Sequence, residues 1–207
     1  MKKLFALSSS FVILASGVWA QEGGEEEKPD LGEIKGNVSV SYQQYEEDSA
    51  INAAVPEETS TLTAFTNLIY TRGAFRVGTR FESYLPAQLG YPDRFKGTGI
   101  GYRYASYVTD EVSVTVGNFY EQFGSGTILR TYEERNLGID NALDGIRVKY
   151  NPVPGMYLKG IIGKQRYRFN DGLTNGNGIV RGFDGEVDLN EMFDSTMADS
   201  KFRVVLG

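Results

Sequence analysis

The residues of this 207-residue chain that most invite a catalytic reading are Glu133 with Glu134, the Gly124-Ser125-Gly126 run, and a set of Gly-rich acidic segments, Asp171-Gly172, Asn175-Gly176, Asn177-Gly178 and Asp184-Gly185-Glu186. Each falls short of the chemistry it suggests. Two carboxylates acting as acid and base must flank one bond, and neighbours on an extended backbone point to opposite sides. A phosphate-cradling glycine loop needs a following Gly-Lys-Ser/Thr and a helix, and neither is signalled here. The Asp- and Asn-glycine steps match no EF-hand spacing and read as loop chemistry. Histidine and cysteine are both absent. That excludes Ser-His-Asp and Cys-His catalysis, His-ligated zinc, thiolate nucleophiles, disulfides and iron–sulfur ligation. The reading is a protein that is not an enzyme, with no cofactor and no metal.

What remains is chemistry by fixed charge. Arg76, Arg80, Glu82, Arg103 and Arg147 recur at alternate positions of apolar segments. Glu121, Arg130, Glu133, Glu134, Arg135 and Asp140 crowd one long connection, 121–141. Opposed charges facing one another across a wet passage set a transverse field that selects solutes. Gly124-Ser125-Gly126 allows the positive φ angles of a sharp bend. These ten residues, Arg76 through Arg147 with the loop set and leaving Asp140 aside, are therefore candidates for a pore lining and constriction, with 121–141 folded inward. A solvated, outward loop is the alternative.

The segments that carry these charges alternate with period two, the signature of strands with one apolar and one polar face. Ile34 to Gln43 alternates Ile34, Gly36, Val38, Val40 and Tyr42 with Lys35, Asn37, Ser39, Ser41 and Gln43. Further strands are predicted over 62–71, 75–84, 99–108, 112–120, 143–150 and 156–167, and an eighth begins at Phe202. Phe75, Val77, Thr79 and Phe81 oppose Arg76, Gly78, Arg80 and Glu82. Ile100, Tyr102 and Tyr104 oppose Gly101 and Arg103. Val112, Val114 and Val116 oppose Ser113, Thr115 and Gly117, and Ile146, Val148 and Tyr150 oppose Arg147 and Lys149. Links at 72–73, 109–110 and 151–155 are short, whereas those near 46–60, 85–97, 121–142 and 168–200 are long. Such sorting is expected of strands that all cross a bilayer, with turns on the periplasmic side and loops outside. Aromatics near strand ends, among them Tyr42, Tyr70, Phe75, Tyr84, Tyr120, Tyr150 and Tyr157, are candidates for interfacial girdles.

Residues 1–20 read as a secretory signal: Lys2 and Lys3, the apolar stretch Leu4 to Val18, then small residues before Gln21. Residues 21–32 read as an acidic disordered linker, and 33–207 as the strand region. The net charge is −6. Removing the signal takes two lysines and no acid, so nucleic-acid binding is not expected. The fold class expected is all-β: an antiparallel up-and-down transmembrane β-barrel with about eight strands. Phe202 to Gly207 supplies only about half of a membrane crossing, so the 207 residues are expected to be the N-terminal part of a larger barrel.

The chain also carries longer motif strings: Val116-Gly-Asn-Phe-Tyr-Glu-Gln-Phe-Gly-Ser-Gly126, Arg130-Thr-Tyr-Glu-Glu-Arg135, Leu158-Lys-Gly-Ile-Ile-Gly-Lys-Gln-Arg-Tyr167 and Gly178-Ile-Val-Arg-Gly-Phe-Asp-Gly-Glu186. In these it resembles an uncharacterised outer-membrane β-barrel family of Bacteroidota, a domain of unknown function. The resemblance covers nearly the whole mature chain. It implies a porin-like barrel in a Gram-negative outer membrane, and it implies no substrate and no functional residues. The function expected is passage of small solutes. The alternative is a non-conducting outer-membrane scaffold or surface receptor that binds a partner through its long loops. Partners expected are outer-membrane lipid and the barrel-assembly machinery.

Overall fold

A computed structural model describes residues 9–14, 30–86, 88, 89, 91, 96–169, 178–193 and 204–207, with backbone alone at 9–14. Most of the expected signal and linker, and residues 170–177 with their Asp- and Asn-glycine steps, lie outside the described residues. The chain divides into two compact units: Met1–Arg72 with Gly78–Arg103 and Arg168–Asn170, and Gly73–Val77 with Tyr104–Tyr167 and Asp171–Gly207.

The first unit holds β1 (Ser9–Leu14), β2 (Glu33–Gln44), β3 (Ser60–Arg72) and most of β4 (Phe75–Leu85), with the first half of β5 (Gly97–Val108). β2 and β3 pair antiparallel over twelve rungs, from Glu33↔Thr71 to Gln44↔Ser60. Backbone pairing also sets β1 against β2 from Ser9↔Tyr42 to Leu14↔Asn37. The alternation of the sequence becomes two faces. Thr61, Thr63, Phe65, Arg80, Glu82 and Tyr84 are buried, whereas Leu62, Leu68, Phe81 and Ile100 on the opposite face are exposed.

The second unit holds the remainder of β4 and β5, then β6 (Val112–Phe119), β7 (Glu133–Glu134), β8 (Ile139–Asp140), β9 (Leu143–Tyr150), β10 (Met156–Gln165), β11 (Ile179–Asp188), a short helix α1 (Leu189–Phe193) and β12 (Val205–Leu206). β5, β6, β9, β10, β11 and β12 are hydrogen-bonded in that order, each neighbour antiparallel to the next, while β7 and β8 form a small separate hairpin. The β5–β6 turn is closed by Thr109, whose hydroxyl accepts from the Val112 amide at 3.1 Å while its own amide donates to the Val112 carbonyl. Phe119, Leu143 and Ile161 form a small core, with Phe123, Leu129 and Val180 packed on it. On the far face Val116, Ile146, Val148, Tyr150, Ile162 and Phe183 are exposed, Phe183 at 72%.

The protein is therefore all-β and antiparallel, with almost no helix. The sheet is open among the described residues: β1 and β12 stand at the two ends of the strand order, so no closed barrel is formed by them. Two expectations are corrected. The link 168–200 is not a loop throughout, because β11 runs through it and pairs with β10 over nine rungs. Of the strand expected from Phe202, residues 202 and 203 lie outside the described residues, and β12 pairs with β11 through Val187↔Leu206 and Asp188↔Val205. In β5 the phase reverses. Gly101 is buried, but beyond it Tyr102, Tyr104 and Ser106 turn to the covered side and Arg103, Ala105 and Tyr107 to the exposed side. The shift is local to a stretch with glycine at 97, 99 and 101, and Gly97 and Gly99 lie at φ 158° and 154°. Gly101 has no room for a side chain, since a Cβ there would meet the Glu82 carboxylate. Some aromatics also leave the expected girdles. Tyr84 is buried against Phe65, edge-on at 5.6 Å, and Tyr120 and Tyr157 turn their hydroxyls to Asp140 and Glu191.

Backbones approach closely at Gly145, which pairs with both Gly117 and Gly163. A Cβ at Gly145 would stand 2.1 Å from the Ile162 carbonyl oxygen, whereas one at Gly160 would meet nothing within 4 Å. Gly145→Ala should lower the denaturant midpoint of the refolded protein, by about 1–3 kcal/mol in stability, as overpacking does. Gly160→Ala should be neutral or stabilising by about 0.4–1 kcal/mol. Equal midpoints for the two variants would contradict this register.

Candidate functional site

The polar face of the second unit is built in rungs. Ser113 pairs with Lys149, Lys149 with Lys159, and Lys159 with Asp184. The neighbouring rung runs Thr115, Arg147, Ile161 and Gly182. Period two places the three cations Arg147, Lys149 and Lys159 on one face, two residues or one strand apart.

Residues 121–131 lie across that face. Their own backbone closes them into a lobe. The Thr131 amide donates to the Glu121 carbonyl, the Glu121 amide to the Thr131 hydroxyl at 2.8 Å, and the Phe123 amide to the Leu129 carbonyl. Phe123 and Leu129 pack on the Phe119–Leu143–Ile161 core, and the Phe123 ring fills the space that a Cβ at Gly182 would take.

Glu121, 8% exposed, is the polar anchor of the lobe. Its Oε2 lies 2.9 Å from Lys149 Nζ and 3.3 Å from Arg147 Nη1, and its Oε1 lies 3.7 Å from Lys159 Nζ. Arg147 also donates to the Tyr120 carbonyl and the Thr115 hydroxyl, and its guanidinium lies over the Phe119 ring at 5.5 Å. Lys159 donates to the Gln122 carbonyl at 2.9 Å and pairs with Asp184 at 3.0 Å. Burial pushes the Glu121 carboxyl up. The hydrogen bonds from Lys149 and the Gln122 amide, with the charges of Lys149 and Arg147, outweigh it and hold the group below the ordinary glutamate value.

The far end of the same connection is held separately. Asp140 pairs with Arg166 and accepts from the Tyr120 hydroxyl, and the Asn141 side chain accepts from the Tyr132 amide. Between the two ends, Glu133 and Glu134 form β7. Glu133 pairs with Arg135, two residues along the chain, at 3.1 Å. Hairpin pairing with β8 fixes their backbones, Glu133 opposite Asp140 and Glu134 opposite Ile139. Arg130 is exposed and lies over Tyr132 at 5.1 Å.

Of the expected strand arginines, Arg147 joins this lobe. Arg103 is on the exposed side of β5, for the reason given above. Arg76 is exposed at the start of β4. Arg80 and Glu82 belong to the first unit, where they pair at 2.6 Å, with Arg80 between Phe65 and Tyr102. Lys149 was read as polar-face but not as a site residue, and Lys159 and Asp184 were missed. Period two from Tyr157 through Lys159 and Ile161 would have found Lys159. Asp184 lay in a Gly-rich stretch read as a turn. Beside the lobe, a cleft of about 500 Å³ is lined by Lys149, Lys159, Ser113, Tyr157, Glu111 and Glu186 among others. Among the described residues no group of three or more His, Cys, Asp or Glu is placed to hold a metal, and no helix is long and apolar enough to cross a membrane.

A family model described as a family of unknown function (DUF6029) matches residues 1–207. No curated protein and no solved structure matches the chain.

The lowered Glu121 carboxyl sets a pH dependence. A group whose folded value is depressed contributes stability above its unfolded value and loses it as pH falls through the folded value. Between about pH 6 and about pH 3 the wild-type denaturant midpoint should therefore fall further than that of Glu121→Gln, which has no proton to take up at this position. Parallel curves for the two proteins would show that the anchor contributes nothing.

Proposed function

The chain belongs to the DUF6029 family of unknown function, and we propose that it is an integral outer-membrane β-protein whose strands wall a porin-like passage for small solutes. One observation carries the reading: the sheet is inside-out. A water-soluble sheet buries its apolar face and gives its charged face to water. Here Glu82, Arg80, Thr115 and Glu121 are covered, while Val116, Ile146, Val148, Ile162 and Phe183 are bare. Moving one such apolar side chain out of water is worth roughly 1.5–3 kcal/mol. A row of them exposed to water would rival the about 5–15 kcal/mol by which a whole domain is stable. Hydrocarbon removes that cost, and a wet interior removes the cost of the charges opposite.

The connections support the same orientation. Among the connections from β2 to β11, those at 73–74, 109–111 and 151–155 are short, and those at 45–59, 86–96, 120–142 and 166–178 are long. With the short side periplasmic, the lobe 121–131 hangs from the outer end of β6 into the passage and narrows it. Selection then rests on width and on the Glu121, Arg147, Lys149 and Lys159 charges, not on covalent chemistry.

The full-length protein should remain in the membrane pellet after alkaline carbonate extraction. Reconstituted in planar bilayers, it should conduct, and deleting Gly124 to Asn136 should raise the conductance and change ion selectivity. Recovery in the soluble periplasmic fraction would overturn the membrane reading. A membrane-bound protein that does not conduct, with or without the deletion, would instead make it a scaffold or receptor.

A further inference from the structure

The three cations of the second unit's polar face converge on a carboxylate that the chain itself provides. Both oxygens of Glu121 are engaged, Oε2 by Lys149 and Arg147, Oε1 by Lys159 and by the Gln122 amide at 3.1 Å. That donor set, two ammonium groups and a guanidinium, suits any compact oxyanion. We propose that Arg147, Lys149 and Lys159 form a binding cradle for a small carboxylate or phosphate, and that the Glu121 carboxylate is a resident ligand which the incoming anion displaces.

Two observations favour exchange over a fixed structural pair. First, Glu121 does not need its carboxylate to stay in place. Its amide and carbonyl are both bonded to Thr131, and Phe123 and Leu129 hold the lobe on the core. The side chain alone has to rotate away. Second, the cradle is open from the side opposite the lobe. Lys149 and Lys159 line the cleft of about 500 Å³ as well as the Glu121 site, and the Lys149 side chain is 36% exposed. Every charge facing the cradle counts in the balance. Arg147 and Lys149 come from β9, Lys159 from β10 and Asp184 from β11, and Glu111 and Glu186 flank the cleft. Asp184 takes part of Lys159. The two glutamates disfavour large polyanions, which leaves a small anion fitting between the lysines. The charge of Glu121, held below the ordinary glutamate value, keeps it the competitor at neutral pH.

An internal competitor lowers apparent affinity by the fraction of time the site stands free. If Glu121 occupies the cradle nine-tenths of the time, its removal strengthens binding by roughly tenfold. The inference deepens the channel reading, on which its meaning for transport rests, but binding can be measured without conduction. The full chain is purified in detergent, and acetate and inorganic phosphate are titrated at constant ionic strength by calorimetry. Glu121→Gln should bind at least one of them roughly tenfold more tightly than wild type, and which of the two it prefers separates a carboxylate from a phosphate ligand. The Lys149→Met/Lys159→Met protein should lose that binding. A second arm needs no variant: sulfate, whose own charge is constant over the range, should bind wild type more tightly as pH falls and Glu121 is protonated. Equal affinities for Glu121→Gln and wild type, retained binding in the lysine variant, or sulfate affinity unchanged by pH would each overturn the cradle. A protein that binds anions but does not conduct would overturn the channel and leave the cradle standing.

Discussion

Alternate side chains of a strand go to opposite faces, and in this chain the two faces ask for different surroundings. Along β9 the sequence Ile146-Arg147-Val148-Lys149-Tyr150 changes requirement at every residue. A register slip by one residue would put Arg147 and Lys149 where Val148 stands bare and would bury Ile146 among charges, so the pairing of β9 with β6 and β10 is strongly specified. Everything else in the second unit follows from keeping these faces apart. The turns keep the strands in step, and the glycines at 145 and 163 let the neighbouring strands β9 and β10 approach closely.

The charged face is stabilised by pairing rather than by exposure alone. Removing one partner of a covered ion pair leaves the other charge without compensation, at several kcal/mol if fully buried. The two units meet this in different ways. In the first, Arg80 and Glu82 sit on one strand two residues apart, and the pair is enclosed by Phe65, Tyr102 and the side-chain-free Gly101. In the second, the carboxylate is delivered by a loop to cations on two strands, and the apolar residues beside it, Phe123 and Leu129, dock at the same time. The first arrangement is closed. The second stays open to a cleft, which is why it carries the functional reading.

Much of the fold was legible because period two is a local property. It needs no knowledge of distant contacts, and it placed Arg80, Glu82, Arg147 and Lys149 on the faces they occupy. It failed where local rules break. Gly97, Gly99 and Gly101 let β5 change phase, so Arg103 went to the wrong side. β11 follows a Gly- and Asn-rich stretch and contains Gly182 and Gly185, which hid its alternation and with it Asp184. The site was harder still, because ion pairing across loops depends on distance and not on charge density. Glu133 and Glu134 pair with β8 in a local hairpin, and Glu121, at the root of the loop two residues beyond β6, reaches Lys149 across the sheet.

The central claim is that the bare apolar face meets lipid and the covered charged face meets water. The chain has no cysteine, so single cysteines report one position each. They would be placed in turn at Ser113, Val114, Thr115, Val116, Ile146 and Val148, labelled with an environment-sensitive fluorophore, and the protein reconstituted in vesicles. Quenchers would then be offered from the acyl chains and from the aqueous phase. The account predicts strict alternation: Val114, Val116, Ile146 and Val148 quenched from the lipid, Ser113 and Thr115 from water alone. Labels quenched from water at every position, with no period of two, would contradict it.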